Sequence, residues 1–296
     1  MSHPTSNSTD PRPTSIRIFL ADGTPDGIRI VDKSNWTGRA VVAGRPQVPD
    51  AIQRKELDLP GVYVLVGPGD GGESRIYVGE GDMLGTRIKQ HATGKDFWTR
   101  MVAFSSTDGY LNKAHVRYLE ARLIALAQEA NQWEIDNGSS PGEPPLSEAD
   151  RADAEWFLSE MLLIFPILGI DAFEVASKDP GADGEDRLLY LRRRGSDARG
   201  RQQQEDFVVL EGSLGRITET ASIHAHLSDL RTQLKDRGVL LPQGKHLVFT
   251  QDYRFSSPSK AAGVLVGGAA NGRVAWKTSD GRTLKEIQNT EAEQVD

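Results

Sequence analysis

The chain has 296 residues, a formal net charge of -7 at pH 7 and no cysteine. This length, with 38% hydrophobic residues, allows a sizeable core and favours two domains. The lack of cysteine excludes disulfides and thiolate zinc sites. The N-terminal residues lack the apolar core of a secretory signal, and no apolar run reaches the roughly 18 residues that span a bilayer. We therefore expect a cytoplasmic protein that does not enter a membrane.

The negative charge is concentrated in one segment. Residues 136–185 carry twelve acidic side chains and two basic ones, which exceeds the net charge of the whole chain. The rest is slightly basic, and residues 87–122 are rich in lysine and arginine. An acidic total therefore does not exclude a polyanionic substrate for the N-terminal half.

Residues 1–15 are rich in Ser, Thr and Pro and predict a flexible tail. The next segment, residues 16–57, predicts a strand-rich extension with a short helical turn from residue 50 to 57. Its three strands are predicted at residues 16–20, 27–31 and 39–42, with Gly- and Asp-containing turns between them.

Two short apolar runs around a Gly-rich turn follow, and they predict a β-hairpin. The first reads GVYVLV from Gly61, and the second reads IYVGEG from Ile76. Arg87 and His91 fall four residues apart in a segment with helical spacing, so they share one helix face. A further strand at residues 99–105 gives a predicted sheet of about three strands.

The region from residue 111 to 128 predicts a long amphipathic helix, because its apolar residues recur at a spacing near 3.6 and it contains neither Gly nor Pro. Glu120 lies at the rim of the apolar face, where its carboxylate can reach a cleft. A surface ion pair with Arg117 or Arg122 is the alternative role for this glutamate.

The triplets GVY at residues 61–63 and YVG at residues 77–79 resemble the motif of the GIY-YIG nuclease domain, with valine in place of isoleucine. The resemblance covers about residues 58–135 and implies an α/β (α+β) fold with a small central antiparallel sheet flanked by helices. It also implies a catalytic set in which the glutamate binds Mg²⁺ or Mn²⁺. Matched to this sequence, that set is Tyr63, Tyr77, Arg87, His91 and Glu120.

The implied activity is hydrolysis of DNA phosphodiester bonds by a metal-dependent endonuclease, in restriction, repair or mobile-element defence. A tyrosine would position or deprotonate water with help from His91, and Arg87 would neutralise the phosphate. Taken alone, each tyrosine would more often serve strand packing than catalysis, and it is the joint pattern that favours the catalytic role. Basic residues expected to contact nucleic acid are Lys89, Lys95, Arg100, Lys113, Arg192, Arg193 and Arg194. The strandedness of the DNA and the formation of a homodimer stay open.

An acidic linker that contains one helix, predicted from Glu148 to Phe165, occupies residues 136–186. Residues 187–296 predict a second α+β domain, in which the arginine-rich stretch up to Arg201 continues through a Gly- and Gln-rich loop. Ser257 and Pro258 predict the start of a helix that runs to Val266, and Asn271–Gly272 predicts a turn after it. Its sequence from Val248 to Ile287 resembles a domain of unknown function that commonly follows GIY-YIG domains.

Two other classes of function are open at this level. The nuclease-like domain could bind nucleic acid without cleaving it. Alternatively, the acidic segment could dock a protein partner through the apolar side chains of its helix, from Trp156 to Phe165.

Overall fold

The computed structural model describes residues 13–69, 73–139, 141–176, 188–203 and 206–293. The chain divides into two compact units. The first unit consists of Met1–Leu65, Val78–Ala121 and Pro141–Ile164, and the second of Val66–Tyr77, Arg122–Ser140 and Phe165–Asp296.

In the described part of the chain, the first sheet has seven strands. They are β1 Ile16–Leu20, β2 Arg29–Lys33, β3 Gly38–Gly44, β4 Gly61–Pro68, β5 Ser74–Gly81, β6 Arg100–Ser106 and β7 Glu134–Ile135. Their order across the sheet is β1-β2-β3-β6-β4-β5-β7. The pairs β1–β2, β2–β3 and β3–β6 are antiparallel, whereas β5 and β7 are parallel.

The N-terminal strands belong to the same sheet as the tyrosine-bearing hairpin. β3 pairs with β6 along its whole length, from Gly38 opposite Ser106 to Gly44 opposite Arg100. The apolar side chains of both strands are buried, and β4 is buried from Gly61 to Gly67. Such continuous apolar runs are typical of strands that are covered on both faces.

The helices that accompany this sheet among the described residues are α1 Val48–Ala51, α2 Leu84–Gly94, α3 Lys113–Ala130 and α4 Glu148–Ile164. Short 3-10 turns lie at Arg45–Gln47, Lys55–Asp58 and Pro166–Leu168. α4 begins after Ser147, whose hydroxyl accepts a hydrogen bond from the Asp150 amide at 3.1 Å. Its apolar face is buried within the first unit, where Phe157 packs against Trp36 at 4.9 Å between ring centroids.

The second sheet is formed by β8 Leu189–Arg193, β9 Ser196–Gln203, β10 Asp206–Val209, β11 Leu214–Arg216, β12 Leu240–Gln243, β13 His246–Phe249 and β14 Tyr253–Phe255. The order is β12-β13-β11-β9-β10-β14, and β8 pairs with β9. Within the described ranges, the helices that follow or separate these strands are α5 Ala225–Asp236, α6 Pro258–Val266, α7 Gly272–Ala275 and α8 Leu284–Glu293.

The second core lies between one face of this sheet and the helices. Strand residues such as Leu191, Phe207 and Phe249 pack with Leu230 of α5 and Leu265 of α6. α6 begins as its sequence predicts. Ser257 caps it by accepting a hydrogen bond from the Lys260 amide, and Pro258 takes the first helical position.

The predicted fold class is confirmed, since the chain is α+β with two multi-stranded sheets. The first sheet is larger than the predicted three strands, because the extension at residues 16–57 contributes β1 to β3 and a short β7 adds to the other side. The loop predicted through Arg199 and Arg201 is wrong, because these residues lie on β9. Asn271–Gly272 begins α7 instead of a turn between elements.

Two predicted segments fall wholly or largely outside the described residues. These are the N-terminal tail, of which only residues 13–15 are described, and residues 177–186, whose Gly, Pro and Asp content predicts a break in secondary structure. The predicted domain boundaries remain predictions. Within the described part of the chain, none of the helices combines the length and the apolar character that crossing a bilayer requires.

Candidate active site

The glycines of the two motif triplets are required by close packing. A Cβ atom on Gly61 would lie 2.0 Å from the Phe104 carbonyl oxygen on the neighbouring strand β6. A Cβ atom on Gly79 would lie 2.4 Å from the Tyr63 hydroxyl. Neither glycine has a positive φ, so the constraint comes from space and not from backbone conformation. The motif therefore brings the Tyr63 ring directly against the backbone of β5.

Tyr63 and His91 are neighbours in the first unit. The Tyr63 side chain is fully buried on β4, and its ring lies 5.7 Å from the His91 ring at an interplanar angle of 47°. His91 is half-buried in the last turns of α2. The pairing of β4 with β5 and the packing of α2 thus join a phenol and an imidazole that are 28 residues apart in the chain.

α2 presents Arg87 to solvent because its apolar residues face the other way. Leu84 and Ile88 are buried, whereas Arg87 is exposed and donates a hydrogen bond from Nη1 to Gln90 Oε1 at 2.9 Å. A Cβ atom on Gly81 would lie 2.7 Å from Arg87 Cγ. Arg87 therefore passes close to the end of β5 before its guanidinium reaches solvent.

The C-terminal end of α2 is held by two side chains. Arg45 donates to the carbonyl oxygens of Ala92 and Asp96, and Trp98 donates from Nε1 to the His91 carbonyl oxygen at 3.3 Å. Donors at this end satisfy carbonyls that have no partner within the helix. Because His91 lies in this last turn, these bonds restrict the position of its imidazole.

Glu120 is half-buried on α3. Burial, together with repulsion from Glu80, raises the pKa of its carboxyl group to about 7. The positive charges of Arg87, Lys113 and Arg117 oppose this rise. Arg117, which the sequence offers as an ion-pair partner, ranks behind Arg87 and Lys113 in this effect. The charges of Arg87 and Glu120 therefore act on each other.

Glu80 is the residue that the sequence reasoning missed. It follows the YVG triplet on β5, and both of its carboxylate oxygens accept hydrogen bonds from Lys113 Nζ at 2.9 Å. Lys113 also pairs with Asp82 at 3.4 Å. The sequence does carry a signal for Glu80. It stands two residues after Val78 and four after Ile76, at a strand position where an apolar residue is expected and a charged one is unusual.

This donor set suits a magnesium-like ion. Among the described residues, no group of three or more His, Cys, Asp or Glu side chains could hold a metal. Glu80 and Glu120, whose charges act on each other, are oxygen donors of the kind that Mg²⁺ takes, since this ion keeps several waters and commonly uses one or two carboxylates with substrate phosphates. The repulsion between these groups is the kind that a divalent cation would relieve.

The other predicted residues are more scattered. Tyr77 is half-buried on β5, on the same strand face as Gly79. Lys89 is exposed on α2, while Lys95 and Arg100 are half-buried. Burial and the nearby charge of Arg29 lower the pKa of Arg100. Lys113 lies in the site itself, engaged with Glu80, instead of at a separate contact surface.

The predicted cluster Arg192–Arg194 belongs to the second unit, and the hairpin of β8 and β9 separates its members. Arg192 lies opposite the exposed Asp197, whereas Arg193 lies opposite the buried Ser196. These two arginines therefore project from opposite faces of β8. Arg194 occupies the turn with a positive φ of 55°.

Comparison with known proteins identifies one region. Residues 189–288 match a domain of unknown function (DUF4357). The C-terminal domain of unknown function that the sequence predicts is thus found, and the match extends from β8 into α8. No curated protein and no solved structure matches the chain. The GIY-YIG resemblance of residues 58–135 stays a prediction.

We expect the raised pKa of Glu120 to appear in the pH dependence of stability. The folded state favours the protonated form of Glu120, and this preference contributes to the free energy of unfolding. The contribution is fully present below about pH 4.5 and is lost as pH rises through about 7. For a half-buried group, solvent screening reduces the effect to about 1 kcal/mol at pH 8. Urea unfolding with chelator at pH 5 and pH 8 should show this loss in the parent chain.

The Glu120→Gln variant provides the comparison, because it cannot ionise. Its unfolding free energy should change less between pH 5 and pH 8 than that of the parent. The exposed Glu129 on the same helix supplies the control, and Glu129→Gln should keep the parent's pH dependence. Identical pH profiles for the parent and Glu120→Gln would contradict the assigned burial of this carboxylate.

Proposed function

We propose that the chain is a metal-dependent endonuclease of the GIY-YIG type that hydrolyses phosphodiester bonds in DNA. The observation that carries the proposal is the environment of Glu120, a half-buried carboxylate beside a second carboxylate and under the opposing charges of Arg87 and Lys113. An isolated surface glutamate has no need of such surroundings. The resemblance of the tyrosine motif supplies the reaction class.

Each side chain has a task in this reaction. The oxygen of a water molecule attacks phosphorus, the bond to the 3′ oxygen breaks, and the products are a 5′-phosphate and a 3′-hydroxyl. Tyr63 and Tyr77 orient the water. His91, packed against the Tyr63 ring, takes the proton, because imidazole changes protonation near neutral pH and a phenol does so near pH 10.

Arg87 would neutralise negative charge on the phosphate, and the carboxylates would hold a divalent metal ion. The exposed guanidinium of Arg87 offers two parallel donors to the non-bridging phosphate oxygens. Glu120, with Glu80 beside it, would hold Mg²⁺ or Mn²⁺, and such an ion when bound neutralises phosphate charge and stabilises the leaving oxygen. Lys113 keeps Glu80 oriented through its two hydrogen bonds.

The alternative functions receive less support. A binding module without turnover does not require a half-buried glutamate beside a second carboxylate. The apolar face of α4, proposed as a docking surface for a protein, is largely used inside the first unit, although Trp156 and Leu163 remain about half exposed.

The direct test is cleavage of supercoiled plasmid DNA by the full chain. We expect nicked and then linear DNA with Mg²⁺ or Mn²⁺ and none with chelator, followed by restored cleavage when excess Mg²⁺ is added back. Absence of cleavage under all metal conditions, by protein with a cooperative unfolding transition, would reject the nuclease proposal and leave the binding module.

A further inference from the structure

The outer face of the C-terminal sheet carries a tyrosine between positively charged residues. Tyr190 on β8 lies opposite Arg199 on β9, and on its other side it exchanges two backbone hydrogen bonds with Lys277, at 2.7 and 3.0 Å. Directly opposite residues on neighbouring strands project from the same face, with Cβ atoms about 5 Å apart. Arg192 Cζ lies 5.2 Å from the centre of the Tyr190 ring. We refer to Tyr190, Arg192, Arg199 and Lys277 as the Tyr190 face.

These four side chains are not part of the hydrophobic core of the second unit. Leu189, Leu191 and Ala198 point inward and are buried, whereas Tyr190 is partly exposed and its three basic neighbours are exposed. The alternation along β8 and β9 therefore separates an apolar inner face from a basic, aromatic outer face. The two residues paired with Tyr190 on its neighbouring strands, Arg199 and Lys277, are both basic, so strand pairing gives the ring no apolar neighbour.

Most of the positive charge on this face is available to a ligand. Arg192 pairs with Asp197 at 3.3 Å, but both side chains are mostly exposed, and such pairs contribute little. Arg199 donates from Nη2 to the Glu211 carbonyl oxygen, which does not neutralise its charge. Among the described residues, neither Arg199 nor Lys277 forms an ion pair within 4.0 Å. The charge of Lys277 does help to lower the pKa of the Glu286 carboxyl group.

There is also space beside the ring. A cleft of about 590 Å³ is lined by Tyr190, Arg192, Arg193, Lys277, Thr278 and Ser279, among others. This volume lies in the range of sites that hold small organic ligands. Besides Val274 and Ala275, the lining offers an aromatic ring, cations and hydroxyl groups, which are the groups that bind a base and its phosphate.

We propose that the Tyr190 face binds a single-stranded segment of DNA, with an unpaired base stacked on Tyr190 and adjacent phosphates on Arg199 and Lys277. Duplex DNA would use the cations but not the ring, because paired bases do not expose their faces. The choice of DNA over RNA rests on the proposed nuclease function. The stacking and charge contacts rest on this face alone.

The experiment measures binding and not cleavage. Full-length protein in chelator is titrated into a fluorescein-labelled oligothymidylate of twelve residues and, separately, into a labelled duplex of the same length, with fluorescence anisotropy as the readout. Tyr190→Ala should weaken binding to the single strand by about tenfold or more and change duplex binding by less than about twofold. Tyr190→Phe, which keeps the ring, should bind nearly as the parent does.

Charge variants test the second part. Arg199→Gln and Lys277→Gln should each reduce the log-log salt slope for the single strand by about 0.7. Lys245→Gln removes an exposed cation at the β12–β13 turn, away from this face, and should leave the slope unchanged. Because the Arg199 and Lys277 variants keep the Tyr190 ring, they remain informative if Tyr190→Ala fails to fold.

The outcomes separate the two proposals. Labelled oligouridylate is titrated in the same way as a third probe. The Tyr190 face is overturned as a DNA site if Tyr190→Ala keeps its single-strand affinity or loses single-strand and duplex affinity equally. Binding of oligouridylate without binding of oligothymidylate would overturn it as well. A chain that cleaves no plasmid but shows the expected Tyr190 dependence would reject the nuclease and retain this site.

Discussion

Glu120→Gln and Arg87→Ala are each expected to reduce plasmid cleavage by at least about a hundredfold. Glutamine at position 120 keeps the shape of the side chain and removes the charge that would hold the metal. Alanine at position 87 removes the only guanidinium that α2 presents beside the site. Neither change deletes a buried apolar group, so the thermal unfolding midpoint should stay near that of the parent or, for Glu120→Gln, rise slightly.

The measurement is the single-turnover cleavage rate with saturating Mg²⁺. Glu129→Gln, which removes an exposed carboxylate from the same helix, is the matched control and should cleave at the parent rate. Arg87→Lys should lie between the parent and Arg87→Ala, because it keeps the charge and loses the fork of donors. Tyr77→Phe, which removes only a hydroxyl, should show a comparable loss. Rates within about threefold of the parent for both principal variants would refute the site.

Gly61→Ala is expected to cause the largest loss of stability, about 2–4 kcal/mol. The new Cβ would meet the Phe104 carbonyl oxygen at 2.0 Å, and that oxygen belongs to a central strand that cannot move alone. Urea unfolding would measure the change. Gly94→Ala is the control, because no heavy atom lies within 4 Å of its added Cβ and its φ is not positive.

Gly79→Ala separates function from stability in the same motif. Its Cβ would meet the Tyr63 hydroxyl at 2.4 Å, so the phenol would have to move away from β5. We expect a larger relative loss of cleavage than of stability for this variant.

The stability prediction for Gly61 has its own contradicting outcome. A Gly61→Ala chain as stable as the Gly94→Ala chain would show that β4 and β6 are not packed as described.

Long periodic elements could be predicted from the sequence, and short or unusual ones could not. α3, α4 and α6 have clear apolar spacing or capping residues, and the structure has them within about two residues of prediction. β9 was missed because its inward positions are Ser196, Ala198 and Gly200, which are too small to mark an apolar face. β7 has two residues and carries no pattern of its own.

The residues of the candidate site divide in the same way, into those that the sequence can indicate and those that depend on tertiary packing. A motif can indicate Tyr63, Arg87 and Glu120 because each lies at a recognisable position of its own element, on β4, α2 and α3. Glu80 and Lys113 lie 33 residues apart, and their hydrogen bonds depend on how α3 packs near β5. The Tyr190 face depends on the pairing of Lys277 with β8, which sequence spacing does not reveal.

The seven-residue ladder between β3 and β6 also determines where this chain can be cut. A fragment beginning at residue 58 would contain every motif residue, yet its strand β6 would lose the neighbour that covers its backbone from Arg100 to Ser106. An exposed apolar edge of this length pairs readily with other chains. The shortest fragment that keeps the motif and the whole N-terminal side of its sheet therefore begins at or before Ile16.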